Sequence, residues 1–154
     1  MSSIMAFVRR CYSLLNIIRQ LVQGVSEKGG YRSLGAIGYV PIKDNSQKAA
    51  AKLYVNASRS FESAKNARLT GGVYRIAGGG DSFGDKTGAL VAFEQPVTGK
   101  LTFVADWTSG RNKLGYSSAG FNYKMGRQDL IVAYAFGNTG RGNNYLSLLY
   151  SFTF

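Results

Sequence analysis

From Gly30 onward the chain alternates in character residue by residue. Leu130, Val132, Tyr134 and Phe136 share one parity, and the smaller Ile131, Ala133, Ala135 and Gly137 share the other. Leu101, Phe103, Ala105 and Trp107 alternate with Thr102, Val104, Asp106 and Thr108. Ala119, Phe121, Tyr123 and Met125 alternate with Ser118, Gly120, Asn122 and Lys124. A period of two belongs to a strand, whose successive side chains point to opposite sides of the sheet. Runs of this kind, bounded by turn residues, fall at about 31–42, 49–61, 68–77, 87–96, 100–109, 116–125, 129–137 and 144–154. Most are about ten residues long. An ordinary strand has about five or six residues, and a tilted strand crossing a bilayer has about 9–11. The pattern predicts an all-β fold over 30–154, an antiparallel up-and-down barrel of about eight strands. If it is transmembrane, its bulky faces point outward and its small and polar faces fill a narrow lumen.

Residues 1–29 follow a different period. Ile4, Phe7, Val8, Cys11, Leu14, Leu15, Ile18, Leu21, Val22 and Val25 recur at three- and four-residue spacing, with Ser13, Asn16, Gln20 and Gln23 between them. That spacing predicts an amphipathic helix or a targeting segment ahead of the barrel domain. The uncharged run 11–18 is too short for a spanning helix, which needs about 20 residues. The arginines follow an apolar stretch rather than precede it, and no clean A-x-A site stands before Gly24, so the segment does not read as a cleavable secretory signal.

Composition narrows the chemistry. The 154 residues contain 20 Gly and only 2 Pro, which suits curved strands and tight turns. There is no histidine, and Cys11 is the single cysteine. A histidine-based triad, an internal disulfide and a cysteine metal cage are all excluded. No Ser lies in a G-x-S-x-G motif. Gly78-Gly79-Gly80-Asp81 with Gly84 lacks the Lys-Ser/Thr of a phosphate-cradling loop and reads as a flexible connection. Asn56-Ala57-Ser58 matches a glycosylation acceptor but falls within a strand run. Glu94 and Asp106 have the makings of an acid–base pair, yet a structural or pore-lining role accounts for them better. No catalytic residue, metal or cofactor is expected, and the chain does not read as an enzyme.

Charge points to partners. Nineteen Lys and Arg against eight Asp and Glu give a formal net charge of +11. Such an excess favours a polyanionic neighbour, such as anionic lipid or a phosphorylated surface glycolipid. Nucleic-acid binding would want the basic residues clustered on one element. Here they are spread along the chain beside turn residues, which argues against it. Within the strand runs, Arg75, Glu94, Asp106 and Lys124 lie opposite the bulky residues and are the expected lumen-lining charges, paired with one another because a buried charge needs a partner. The connections Met125–Asp129 and Gln95–Lys100 are short, whereas Pro41–Lys48, Gly78–Lys86 and Gly137–Asn144 are longer; Phe61–Arg68, longer than a tight turn, is the exception. Short turns at one end and long loops at the other are a habit of membrane barrels.

The last run, YLSLLYSFTF, places Leu146, Leu148, Tyr150, Phe152 and Phe154 on one face. It resembles the carboxyl-terminal assembly signal of bacterial outer-membrane β-barrel proteins of the porin-like kind. The hairpins LTFVADWTSGRNKLGYSSAGFNY and LIVAYAFGN resemble the same family, so the likeness covers about the last seventy residues. The resemblance implies insertion by the barrel-assembly machinery, with Tyr150, Phe152 and Phe154 as the recognition face. It also implies a small pore for small solutes or a structural membrane role, in a bacterial or alternatively an organellar outer membrane. The chain would be a whole small barrel or the carboxyl-terminal part of a larger one. Two other readings stay open. One is a soluble eight-stranded barrel holding a small apolar ligand with its aromatic faces turned inward. The other is a basic protein binding anionic surfaces through its amino-terminal segment and loop lysines.

Overall fold

The structure is a computed structural model that describes residues 3–7, 14–26, 30–41, 48–140 and 144–153. It is all-β. Strands β1 (Ser3–Phe7), β2 (Leu14–Ser26), β3 (Gly30–Pro41), β4 (Ala50–Phe61), β5 (Ala67–Gly78), β6 (Thr87–Pro96), β7 (Leu101–Thr108), β8 (Tyr116–Met125), β9 (Gln128–Gly137) and β10 (Tyr145–Thr153) follow in chain order. From β3 to β10 each strand pairs antiparallel with the next, an up-and-down sheet curled into a barrel-like form. β2 extends it beside β3, and β1 beside β10. The eight runs read from the alternation are β3–β10; Phe154 lies outside the described residues.

The helix expected over 1–29 is not what the described part of that region forms. Ser3–Phe7 and Leu14–Ser26 are strands. β2 pairs along the whole of β3, from Leu14↔Pro41 to Ser26↔Gly30, with one irregularity between Gln20 and Val22. A period near 3.6 set by Leu, Ile and Val is a weak helix signal, because β-branched residues fit a sheet as well. The ladder with β3 satisfies a backbone edge that would otherwise stay open. One extra residue at the irregularity shifts the parity partway along, which is why no clean alternation shows in the sequence.

The turns obey local chemistry. Gly126, with φ 65°, takes the first central position between the paired Met125 and Gln128, as a two-residue hairpin of type II′ requires. Both prolines end strands, Pro41 in β3 and Pro96 in β6, where the missing N–H costs least. Connections 62–66, 97–100 and 126–127 lie at one end, here the turn end. The longer 79–86, 109–115 and 138–144 lie at the other, the loop end. Ser3 pairs with Thr153, so β1 begins and β10 finishes at the turn end.

Parity sorts the side chains. On the outer face Leu53, Val55, Leu69, Val73, Val91, Trp107, Phe121, Val132, Tyr134, Phe136, Leu148 and Tyr150 are exposed, Val73 to 63% and Phe136 to 55%. The interior takes Ala50, Lys52, Tyr74, Ile76, Thr108, Ala133 and Ala135, all buried. Its most densely packed part lies near the loop end, where Ala50, Tyr74, Ile76, Phe83 and Leu114 meet Tyr39, Tyr54 and Leu90. So narrow an interior admits large rings only where a neighbour is small. Gly35, the cross-strand partner of Tyr54, leaves space that a Cβ would take from that phenol. Gly88 does the same for Tyr74, whose hydroxyl would lie 2.7 Å from a Cβ built there. Gly71, on the outer face, has nothing within 4 Å of a Cβ.

This contrast yields a test. Gly88→Val should destabilise the fold by about 1–3 kcal/mol through overpacking against Tyr74, read by urea unfolding. Gly71→Val should cost nothing measurable, because it adds a β-branched residue to an open outer position. Equal effects of the two would show that Tyr74 does not occupy the space above Gly88.

Candidate functional site

Three polar groupings occupy the interior. The first crosses it. Lys52 of β4 is 6% exposed, and its Nζ donates to Thr108 Oγ1 of β7 at 3.5 Å. It also sits 4.7 Å from the centre of the Tyr74 ring. Two strands separate β4 from β7 in the sheet, so this contact spans the curl rather than running along the ladder. The balancing anion is Asp106, also on β7 and within electrostatic reach of Lys52. Its carboxylate accepts a hydrogen bond from the Ser118 hydroxyl, and the Tyr116 phenol of the same strand, β8, lies in its electrostatic reach. A cation buried this far persists because an anion, a hydroxyl and a ring face all meet it.

The second grouping closes the loop end. Tyr74 donates its phenolic hydrogen to Ser109 O at 2.5 Å and accepts from Asn112 Nδ2 at 2.9 Å. Asn112 is 2% exposed; its Nδ2 also donates to Asp85 O at 2.8 Å, and its Oδ1 accepts from Leu114 N at 2.8 Å. The Arg111 amide donates to Asp85 Oδ2 at 2.7 Å. A bridge between Gly84 and Asn112 joins loops 79–86 and 109–115. Asn138 then ties the next loop in, donating to Thr108 O and Gly110 O. Phe83 and Leu114 are thereby folded into the interior, and the loop end is capped by packed side chains.

The third grouping lies toward the turn end. Arg68 of β5 faces Glu94 of β6 across the ladder, with Nη1 3.8 Å from Oε2. Arg68 also donates to Ser58 Oγ at 3.3 Å and lies 5.5 Å from the Tyr31 ring. Both partners of the pair keep more than a third of their side-chain surface exposed. It is therefore weaker than the buried Lys52 group.

Of the four charges expected in the lumen, Asp106 and Glu94 lie on the inner face, and each has an inward cation nearby. Arg75 lies on the outer face, exposed, paired in register with Leu53 and Thr87. Tyr74 takes the inward place because its hydroxyl finds Ser109 and Asn112, and a one-residue choice of parity turns its neighbour out. Lys124 shares the inward parity of Ser118 and Asn122 but stands exposed near the end of β8, opposite Asp129. The four do not form one cluster. Among the described residues the interior cations are Lys52 and Arg68, neither of which is among the four expected from sequence. Their signal was parity, since Lys52 alternates with Leu53 and Val55, and Arg68 with Leu69. Of the expected assembly signal, Tyr150 is exposed on the outer face and Phe152 shares its parity; Phe154 is not among the described residues.

A cavity of about 310 Å³ lies among these groups, with Glu94, Asp106, Tyr116 and Ser118 on its wall. Compared with family models, with curated proteins and with solved structures, the chain matches none.

The buried Lys52, with Asp106 in electrostatic reach, and the Arg68–Glu94 ion pair should respond differently to mutation. Lys52→Met should destabilise by about 3–5 kcal/mol, because it strands Asp106 in the interior. The double variant Lys52→Met with Asp106→Asn should recover much of that loss in a double-mutant cycle. Glu94→Gln should cost at most about 1 kcal/mol, as for a solvent-screened pair. Additive losses for Lys52 and Asp106 would show that they do not act on one another.

Proposed function

We propose that this chain is an integral β-barrel membrane protein of the bacterial outer-membrane kind, held in lipid by its outer face, with a narrow, capped interior. The observation that carries this reading is the outer face of β4–β10, where large apolar side chains stand exposed on one strand after another. A water-soluble monomer rarely carries an apolar patch beyond about 300–600 Å². A lipid-inserted barrel requires an apolar band around its outside, and each strand from β3 to β10 already spends its backbone hydrogen bonds on two neighbours.

The distribution along the strands supports the same reading. Val55, Val73, Val91, Val132 and Leu148 lie between the ends. Tyr123, Tyr150 and Phe152 lie toward the turn end, and Trp107 and Phe136 toward the loop end. Rings near both ends with aliphatics between them suit two headgroup regions and a hydrocarbon middle. Among the described residues, outer-face charge on β3–β10 is confined to Arg32, Arg59 and Arg75, each near a strand end. Arginines so placed reach headgroup phosphates while their stems stay in the apolar band; Arg59 lies 5.7 Å from the Phe61 ring. Lys65, Lys100 and Arg127 at the turn end, with Lys48, Arg111 and Lys113 at the loop end, add positive charge at both rims, fitted to anionic lipid or surface glycolipid. Tyr150, Phe152 and Phe154 are the residues proposed to engage the assembly machinery.

The side chains across the interior favour a structural barrel, or passage of small solutes only, over a wide diffusion pore. The soluble ligand-binding barrel has the interior cavity in its favour, but it would need the bulky face turned inward.

Reconstitution decides between them. The purified chain should need detergent to stay monomeric and should stay with lipid vesicles through an alkaline carbonate wash. Arginine placed at Val91 or Val132 should cost about 2–4 kcal/mol, and at Met125, by the turn end, about 0–1 kcal/mol. A monomer stable in plain buffer, with arginine costs independent of depth, would overturn the membrane reading in favour of the soluble barrel.

A further inference from the structure

The cavity wall has an unusual charge character for this chain. Its apolar part comes from residues such as Ile37, Leu114, Ile131 and Leu149. Its polar part contains two carboxylates, Glu94 and Asp106, and three phenols, Tyr39, Tyr116 and Tyr145. Among the described residues no Lys or Arg lines it, although the chain carries nineteen of them against eight acids. Lys52 and Arg68, the cations that balance the two carboxylates, have other partners as well: Thr108 and the Tyr74 ring for one, Ser58 and the Tyr31 ring for the other. The Tyr116 and Tyr145 rings meet edge to face, with centroids 6.0 Å apart, so ring faces and ring edges both border this part of the interior.

We infer that this cavity is a binding site for a small organic ammonium ion, a cationic nitrogen carrying an apolar body. A cation is drawn to tyrosine faces by the ring quadrupole, the more so away from water. Asp106, in a confined and partly apolar space, adds Coulomb attraction less screened than in bulk water, and the half-exposed Glu94 adds a weaker, solvent-screened share. The alkyl part of the ligand covers Ile37, Ile131 and Leu149, as apolar walls with a few directing polar groups do in small-molecule sites. An anion meets two like charges there, and a neutral apolar molecule gains nothing from them. Lys52 competes for Asp106, so the expected affinity is modest. The inference rests on the interior alone and does not require insertion into lipid.

The test uses the full chain, in detergent micelles if it needs them, with choline as the probe and 3,3-dimethylbutan-1-ol as its uncharged carbon isostere. Binding is followed by calorimetry against empty micelles. Choline should bind at least about tenfold more tightly than the isostere. Asp106→Asn should weaken choline by about tenfold and leave the isostere unchanged, and Tyr145→Leu should weaken choline several-fold. Should Asp106→Asn fail to fold, the comparison of the two probes on the unaltered chain still decides. Equal binding of choline and the alcohol would overturn the inference and make the cavity an apolar one. Absence of choline binding at millimolar concentration would overturn it as well.

Discussion

One continuous antiparallel ladder constrains everything else in this molecule. Each strand from β3 to β10 spends its backbone hydrogen bonds on its two neighbours, so register leaves a side chain only two directions. Inward positions share a small volume, and outward positions share a broad surface. A parity choice on one strand therefore propagates to both sides of the sheet at once. Tyr74 faces inward and Arg75 outward as one decision, made where Gly88 leaves room for the ring and Ser109 and Asn112 receive its hydroxyl. Bulk and polarity then divide in a manner opposite to that of a water-soluble core, with Val, Leu and aromatic side chains outside and Lys, Asp, Asn, Ser and Tyr within.

That inversion changes what holds the interior together. The interior's buried apolar cluster gathers near the loop end, and beside it cohesion depends on polar groups finding partners across the curl. Lys52 meeting Thr108, and Asn112 meeting Tyr74 and Asp85, are contacts between elements distant in sequence. A satisfied network of this sort fixes one arrangement, because any alternative leaves a desolvated charge or amide unpaired. The apolar surface that a soluble protein would bury in its centre is instead offered to the surroundings.

Much of this was legible in the sequence where the alternation was strong. In β7, β9 and β10 the bulky parity of Phe103 and Trp107, of Val132, Tyr134 and Phe136, and of Leu146, Leu148 and Tyr150 is the outward parity. Reading failed where a local signal was diluted. Gly71 and Gly72 carry no side chain to mark a face, so β5 lost its phase and Arg75 was assigned to the wrong side. The amino-terminal segment has apolar residues at helical spacing, yet its described part is strand, because pairing with the whole of β3 outweighs a weak local period. Lys52 and Arg68 are hard to place from sequence because polar residues on a half-apolar strand look like solvated surface until the curl brings β7 opposite Lys52 and the register sets Arg68 beside Glu94 of β6. The capping of the loop end by Phe83, Asn112 and Leu114 was not readable at all, since two Gly-rich connections carry no pattern that says they fold inward.

The two ends of the barrel-like sheet follow from that last point. At the turn end, tight connections such as 126–127 have too few residues to fold back, and Arg68 and Glu94 stay partly exposed there. At the loop end, longer segments have enough chain to place an aromatic ring and a leucine over the interior, anchored by one buried asparagine. The glycines with positive φ at 78–80, 84 and 110 permit that reversal, which most residues would resist sterically. Access to the interior is thus unequal at its two ends. The interior is bounded at that end less by the number of strands than by the packing of these two loops over Tyr74 and Ile76.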